Sequence, residues 1–422
     1  MERDEAMNMK AGMTPARRWP EVRFWRLVFL VLTATGTVAA VLRFTRGLGA
    51  TTNLSDQFPW GLWIGFDVLC GVGLAAGGFT IAAAVYIFNL KRFAPIIRPT
   101  VLTAFLGYLF VTFALLFDLG QPHRIWHPLV MWNPRSVMFE VAWCVMLYTA
   151  VLALEFSPVV FERLNLDWPR RVLETISVPL VIVGVILSML HQSSLGSLYL
   201  IIPEKLHPLW YSPLLPVFFF VSSIAAGLAM VIVESYLAQR AFGHHLEMDL
   251  LEILGRTMVV LLVVYGILRL QDLARRGVLA GLGRLDYEGT MFLAEFGLGV
   301  LLPVLLLATP RVRARQSGLV IGAFLTVLGF VMNRLNVSIT GMERASGAAY
   351  FPSWVEVAIS LALVAAGFAV FGLAVHYLPI FREAVPSLPG IEAPAWLVAR
   401  STASGAGGAS LSSGTAQPPA TE

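Results

Sequence analysis

Gly61-Leu-Trp-Ile-Gly-Phe-Asp-Val-Leu-Cys-Gly-Val-Gly-Leu-Ala-Ala-Gly-Gly-Phe-Thr-Ile-Ala-Ala-Ala-Val-Tyr-Ile-Phe88 decides the fold. It is one unbroken apolar stretch with a single acidic or basic side chain, Asp67. A hydrocarbon core about 30 Å thick takes roughly 20 apolar residues of helix. Nine more stretches of the same kind follow or precede it, and we place the ten at 24–42, 61–88, 101–119, 136–156, 173–190, 214–236, 250–270, 290–309, 317–336 and 355–378. The composition agrees: 57% of the 422 residues are hydrophobic, 13% are charged, and mean hydropathy is +0.74. Soluble chains carry about 25% charged residues. Lipid leaves no backbone amide satisfied except inside a helix or a closed barrel, and these stretches lack the alternation of barrel strands. The fold class is therefore all-α, a polytopic membrane helix bundle of about ten transmembrane helices.

The first span follows Arg17, Arg18, Arg23 and Arg26, is long for a cleaved signal core, and lacks a small-residue cleavage site. It reads as an uncleaved anchor. The termini and even-numbered loops hold about 18 Lys and Arg against about 9 in the odd-numbered loops, which puts both termini in the cytoplasm. Arg275, Arg276 and Arg284 in loop seven run against that trend. The organisation expected is a cytoplasmic tail at 1–20, a transmembrane domain at 21–385, and a cytoplasmic tail at 386–422. That last tail is rich in Ser, Gly, Ala, Thr and Pro and is expected to be disordered from about 401. Nothing points to nucleic acid.

Cys70 and Cys144 are the only cysteines, both deep in apolar stretches, so the chain supplies no four-thiolate iron–sulfur site. The seven histidines (123, 127, 191, 207, 244, 245 and 376) place no two helix imidazoles at one depth, so no haem and no metal site are expected; the alternative is a site near the outer surface that uses His123 or His127 with His191.

Polar residues gather in the loops on one side, the extracytoplasmic side under this topology. They are Asp56-Gln-Phe-Pro-Trp60, Asp118-Leu-Gly-Gln-Pro-His-Arg-Ile-Trp-His127, His191-Gln-Ser-Ser-Leu-Gly-Ser197, Asn333-Arg-Leu-Asn-Val-Ser-Ile-Thr-Gly341 and Tyr350-Phe-Pro-Ser-Trp354. Asp67 lies about 10 Å along the helix from Trp60. Carboxylates at such depth are costly and mark function or a structural hydrogen-bond network. Glu140 enters span four from the same side, His191 closes span five and Arg334 closes span nine there. Glu234 and Arg256, on the opposite side, read as an ion pair. Glu295, inside span eight, completes a set of acids that would suit proton movement. The glycines of the run 71–78 permit close helix approach.

These motifs resemble those of the HybB-type integral membrane subunits of respiratory nickel–iron hydrogenases, within the wider NrfD/polysulfide-reductase membrane-subunit family. The likeness spans roughly residues 24–380. It implies a membrane anchor and quinone-reactive subunit in the bacterial inner membrane, without haem or an iron–sulfur cluster of its own and with no catalysis alone. Such a subunit passes electrons between a periplasmic iron–sulfur protein, joined to a catalytic subunit, and menaquinone or ubiquinone. By likeness, Trp60, Trp63, Asp67, Glu140, His191 and Gln192 border the quinone, and Asp67, Glu140, Glu295 and Glu234 carry protons. The alternative is the membrane subunit of a different periplasmic oxidoreductase, for polysulfide, sulfur or a molybdenum enzyme. Rivals of another class are a secondary transporter and a purely structural anchor.

Overall fold

The computed structural model describes residues 19–381 apart from 244, 245 and 285, and it does not describe the side chains of 19–23, 281, 283 and 284. His244, His245 and the tail expected at 386–422 lie outside the described residues, as does the tail expected at 1–20 except its last two positions. So do the side chains of Arg17, Arg18, Arg23 and Arg284.

Among the described residues, ten helices are long and apolar enough to cross a membrane. We label them α1 (Phe24–Arg46), α2 (Trp63–Ile87), α3 (Lys91–Asp118), α4 (Val137–Arg163), α5 (Ser177–Ile201), α6 (Leu215–Phe242), α7 (Met248–Arg275), α8 (Tyr287–Ala308), α9 (Gln316–Ser346) and α10 (Trp354–Tyr377). No strand occurs among the described residues. Even-numbered helices all begin at one end of the bundle, called here the even-start end.

α2 is the central helix, with 72% of its most apolar window buried, against 11% in α10. It packs on α3 and α6, α6 packs on α5, α7 and α9, and α4 lies between α3 and α5. α1 and α10 pack chiefly on each other, and α10 also meets α3. Their outward side chains, among them Leu30, Val38, Leu361 and Phe368, are exposed, as a lipid-facing surface requires.

Small residues set the tightest crossings. A methyl group at Gly329 on α9 would overlap Gly299 on α8, and one at Gly227 on α6 would overlap Gly77 on α2. At that second crossing α2 tightens locally. Ala76 N–H donates to Gly73 O (3.2 Å) and Gly78 N–H to Ala75 O (3.1 Å), bonds three residues apart instead of four. Wider π turns occur at Trp63–Val68, Gly297–Leu301 and Asn336–Thr340. Turns of this kind concentrate at functional sites.

Two stretches expected to be loops are helical. His191 to Leu198 continues α5, and Asn333 to Gly341 continues α9 through its π turn. His191 therefore stands ten residues, about 15 Å, from the end of α5, and Arg334 about 18 Å from the end of α9. Their polar side chains find partners or neighbours inside the bundle, so the helices have no need to end where hydrophobicity does. Polar groups thus reach well into the bundle and are not confined to one surface.

Outside the spans, the segment between α5 and α6 carries His207. Its N–H donates to Gly341 O (2.7 Å) and its Nδ1 accepts from Leu209 N–H (3.3 Å). Burial lowers its pKa from the ordinary 6.5, against the opposing pull of Glu288 and Asp286 and with that of Arg344. Between that lowered value and about 6.5 the unfolded chain binds the extra proton and the folded chain does not. Stability then falls as pH drops through this window and is flat above it with respect to this group. In detergent, His207→Gln is expected to lose part of the fall in melting temperature between about pH 7 and pH 5. An unchanged pH slope would remove His207 from the account.

Candidate functional site

Three buried polar groups occupy the bundle. The first lies on a cavity of about 360 Å³ between α2, α3, α6 and α10. Its walls are nearly all apolar, including Phe66, Leu74, Phe110, Leu237, Phe368 and Phe371. Asp67 and Glu234 are its two carboxylates. Asp67 sits in the π turn at the start of α2, about 6 Å from the helix end. Ser360 Oγ–H of α10 donates to its Oδ2 (2.5 Å). Glu234 lies about 12 Å from the opposite end of α6, beside Thr103, with no hydrogen bond of ordinary geometry to either oxygen. The ion pair expected between Glu234 and Arg256 is not formed. Arg256 faces outward, away from the bundle interior where Glu234 is buried. A basic side chain near a helix end can reach water at little cost, so it does not follow the carboxylate inward.

The second group lies across α2, between α3, α4 and α5. Gly71 lines the cavity, and the carbonyl of the next residue, Val72, accepts from Gln192 Nε2 (3.1 Å) on the other side. His191 is fully buried, its ring 5.6 Å from that of Tyr108, which in turn meets Tyr148 edge-on at 4.6 Å. Ser188 neighbours both tyrosines. The two phenol oxygens, Ser188 Oγ, both His191 nitrogens and Gln192 Oε1 reach no partner at hydrogen-bonding geometry among the described residues. Buried polar atoms are usually paired, so this concentration is unusual. One turn on, Ser194 Oγ lies 2.5 Å from Glu140 Oε1.

The third group centres on Glu295. Trp210 Nε1 (3.0 Å), Asn333 Nδ2 (2.9 Å) and Asn336 Nδ2 (2.6 Å) all donate to its carboxylate. Arg334 donates to Asn333 Oδ1 (2.7 Å), Ser222 Oγ (2.9 Å) and Phe219 O (3.1 Å), with its guanidinium 3.7 Å from the Phe219 ring centroid. Arg269 is also buried, between Phe218 and Phe292, and donates to Leu209 O (2.8 Å).

The expected residues thus divide. Asp67 and Glu234 share the cavity. His191 and Gln192 share the second group, with Glu140 at its edge through Ser194. Glu295 belongs to the third. Trp63 packs behind Asp67 against α1 and α10, its Nε1 donating to Glu356 O (3.3 Å). Trp60 lies outside the cavity, edge-on to Tyr199 at 5.4 Å. Ser360, Tyr108, Tyr148, Ser188, Trp210 and Arg269 were not anticipated. Hydroxyls are unremarkable in membrane helices because they can bond their own backbone, so only the intramembrane Arg269 carried a signal.

The fold and these groups define a multi-pass helical membrane protein built around buried polar sites. The chain belongs to the NrfD family: the family model described as "Polysulphide reductase, NrfD" matches residues 50–345. It is 34% identical to the probable Ni/Fe-hydrogenase 2 b-type cytochrome subunit of Escherichia coli, over 84% of this chain and 91% of that one. It is 43% identical to a protein of Nitratidesulfovibrio vulgaris named only "Protein", over 84% of this chain and 93% of that one. It is 29% identical to the integral membrane subunit of menaquinone reductase from the same bacterium, over 85% and 92%.

The name of the E. coli relative includes a b-type cytochrome. Two axial imidazoles do not fit the described residues. Among the described histidines, only His191 is buried inside the bundle, against Tyr108, while His123 and His376 are exposed and His127 and His207 lie in connecting segments. No group of three His, Cys, Asp or Glu suited to a metal occurs among the described residues.

Proposed function

We propose that this chain is the membrane anchor and quinone-reactive subunit of a periplasm-facing respiratory redox complex. In this reading a nickel–iron hydrogenase, through its iron–sulfur subunit, docks at the even-start end, which faces outward if both termini are cytoplasmic. The hydrogenase assignment rests on the likeness to the E. coli subunit, the quinone on the likeness to menaquinone reductase. The observation that carries the reading is the cavity: apolar walls, two carboxylates, and a flank formed by the lipid-facing helix α10. Ligand pockets hold about 300–1,000 Å³ and are mostly apolar with a few placed polar groups.

The quinone ring lies at the Asp67 end, nearest the docked electron donor, and its isoprenoid tail runs along Phe110, Phe368 and Phe371 towards lipid. Reduction adds two electrons from the partner's cluster and two protons, giving the quinol. Asp67 hydrogen-bonds a ring oxygen and passes it a proton. Glu234, at the other end of the cavity, exchanges protons with the opposite half of the bilayer. Glu140 and His191 form a separate proton-handling group across α2. Glu295 carries no proton in this scheme; its carboxylate is held by three donors.

Purification in mild detergent tests the reading. The complex is expected to retain an iron–sulfur and a catalytic subunit, and to quench the fluorescence of 2-heptyl-4-hydroxyquinoline N-oxide, a quinone mimic, on binding. A chain that purifies alone, binds a water-soluble solute and leaves the mimic's fluorescence unchanged would place it among transporters instead.

A further inference from the structure

The family match ends at residue 345, so α10 lies beyond it. Yet α10 makes the contact nearest the chemistry of the cavity. Two residues four apart on α2, Trp63 and Asp67, meet two residues four apart on α10, Glu356 and Ser360. Trp63 Nε1 donates to Glu356 O (3.3 Å), and Ser360 Oγ donates to Asp67 Oδ2 (2.5 Å). Positions four apart share one helix face, so these are successive rungs between the two helices.

The upper rung is locked from above. Glu356 is fully buried and accepts from Asn53 N–H (3.1 Å), from Ser353 N–H (2.8 Å) and from the Tyr350 hydroxyl. Tyr350, outside the spans, also accepts from Leu62 N–H at the start of α2 (2.9 Å). Burial, with Glu356 beside it, raises the phenol's pKa above its ordinary value, so it stays a donor. Below the rungs the same seam opens into the cavity, where Phe66, Cys70 and Leu74 of α2 face Leu363, Val364 and Gly367 of α10. Asp67 is therefore oriented by α10 while α10 also forms the cavity wall.

We propose that Ser360 is a positioning residue for Asp67, and that α10, held to α2 through Glu356 and Tyr350, is the element that aims this carboxylate into the cavity. The proposal rests on the quinone reading above. Its chemistry is conventional: a hydroxyl donating to one oxygen leaves the other free to face the ring. Ser360 touches the carboxylate and does not need to touch the quinone.

The test compares wild type, Ser360→Ala, Ser360→Thr and Asp67→Asn in the intact complex, with a short-tailed quinone as acceptor. Quenching of 2-heptyl-4-hydroxyquinoline N-oxide fluorescence and dye reduction by the partner subunits report assembly. Ser360→Ala is expected to lower kcat about tenfold, equivalent to about 1.4 kcal/mol and within the net contribution of a single hydrogen bond, with KM unchanged. It is also expected to displace the pH profile of kcat, which a packing defect would not do. Ser360→Thr keeps the hydroxyl and is expected to restore both. If Ser360→Ala matches wild type in kcat and pH profile while Asp67→Asn is inactive, the positioning role is overturned and the quinone reading stands. If Ser360→Thr fails as badly as Ser360→Ala, the contact is packing and the proposal is overturned. If Asp67→Asn turns over normally, both fall.

Discussion

Asp67→Asn is expected to leave the proposed complex assembled and the partner's dye activity at wild-type level, while quinone-linked turnover falls by about 10²-fold or more, the usual contribution of a placed proton donor. Asparagine has nearly the shape of aspartate, and its carbonyl can still accept from Ser360, so the α2–α10 contact survives. What it loses is the exchangeable proton. The measurement is turnover with a short-tailed quinone beside dye reduction by the same preparation. Equal losses in both would mean failed assembly, and no loss in either would remove Asp67 from the reaction. Glu234→Gln supplies the contrast from the same cavity. Its carboxylate stands at the far end, so binding of the quinone mimic is expected to persist while turnover slows.

Asp67 was legible in the sequence for a plain reason. A lone carboxylate inside 28 apolar residues is costly in lipid and is almost always turned into the bundle, where the structure places it. The ten spans were legible on the same ground, since burial in lipid demands long apolar helices and little else. Their ends were less so. The segments 191–197 and 333–341 read as loops because polarity was taken to mean the membrane surface. In the structure that polarity is turned inward: Asn333 and Asn336 bond Glu295, and Gln192 bonds Val72 O. Helix then continues through sequence that hydropathy assigns to water. Partners across the bundle were not legible at all. Ser360 is 293 positions from Asp67 in the chain, and Trp210 is 85 from Glu295. A serine in an apolar helix, or a tryptophan in a connecting segment, gives no sign of which helix it will face. The Glu234–Arg256 pairing failed for the converse reason, because two opposite charges near one end of two helices need not point the same way.

Glu295→Leu is expected to deplete the protein from the membrane, and this distinguishes two roles that a buried acid can play. A proton carrier must gain and lose its proton, so it is held loosely and its amide variant is stable and inactive. Glu295 is held by Trp210 from the 202–214 segment and by Asn333 and Asn336 from α9, with Arg334 secured through Asn333 and Arg269 nearby. That is the arrangement of a lock between the 202–214 segment, α8 and α9. Replacing it with leucine strands three donors and leaves two buried guanidiniums, which cannot give up their protons, without the carboxylate they face. Breaking a buried charge network by removing one partner costs about 3–5 kcal/mol, a large part of a typical folding free energy. The level of membrane-inserted protein and its melting temperature in detergent should both fall steeply. Glu295→Gln keeps the size and one acceptor oxygen, and should fall less. Removing a facing cation as well, in Glu295→Leu with Arg334→Met, should recover part of the loss, because the double variant buries less unpaired charge than the single one. A Glu295→Gln protein that is stable, assembled and unable to turn over quinone would reverse the assignment, returning Glu295 to the proton path and leaving the lock to Arg334 and the asparagines.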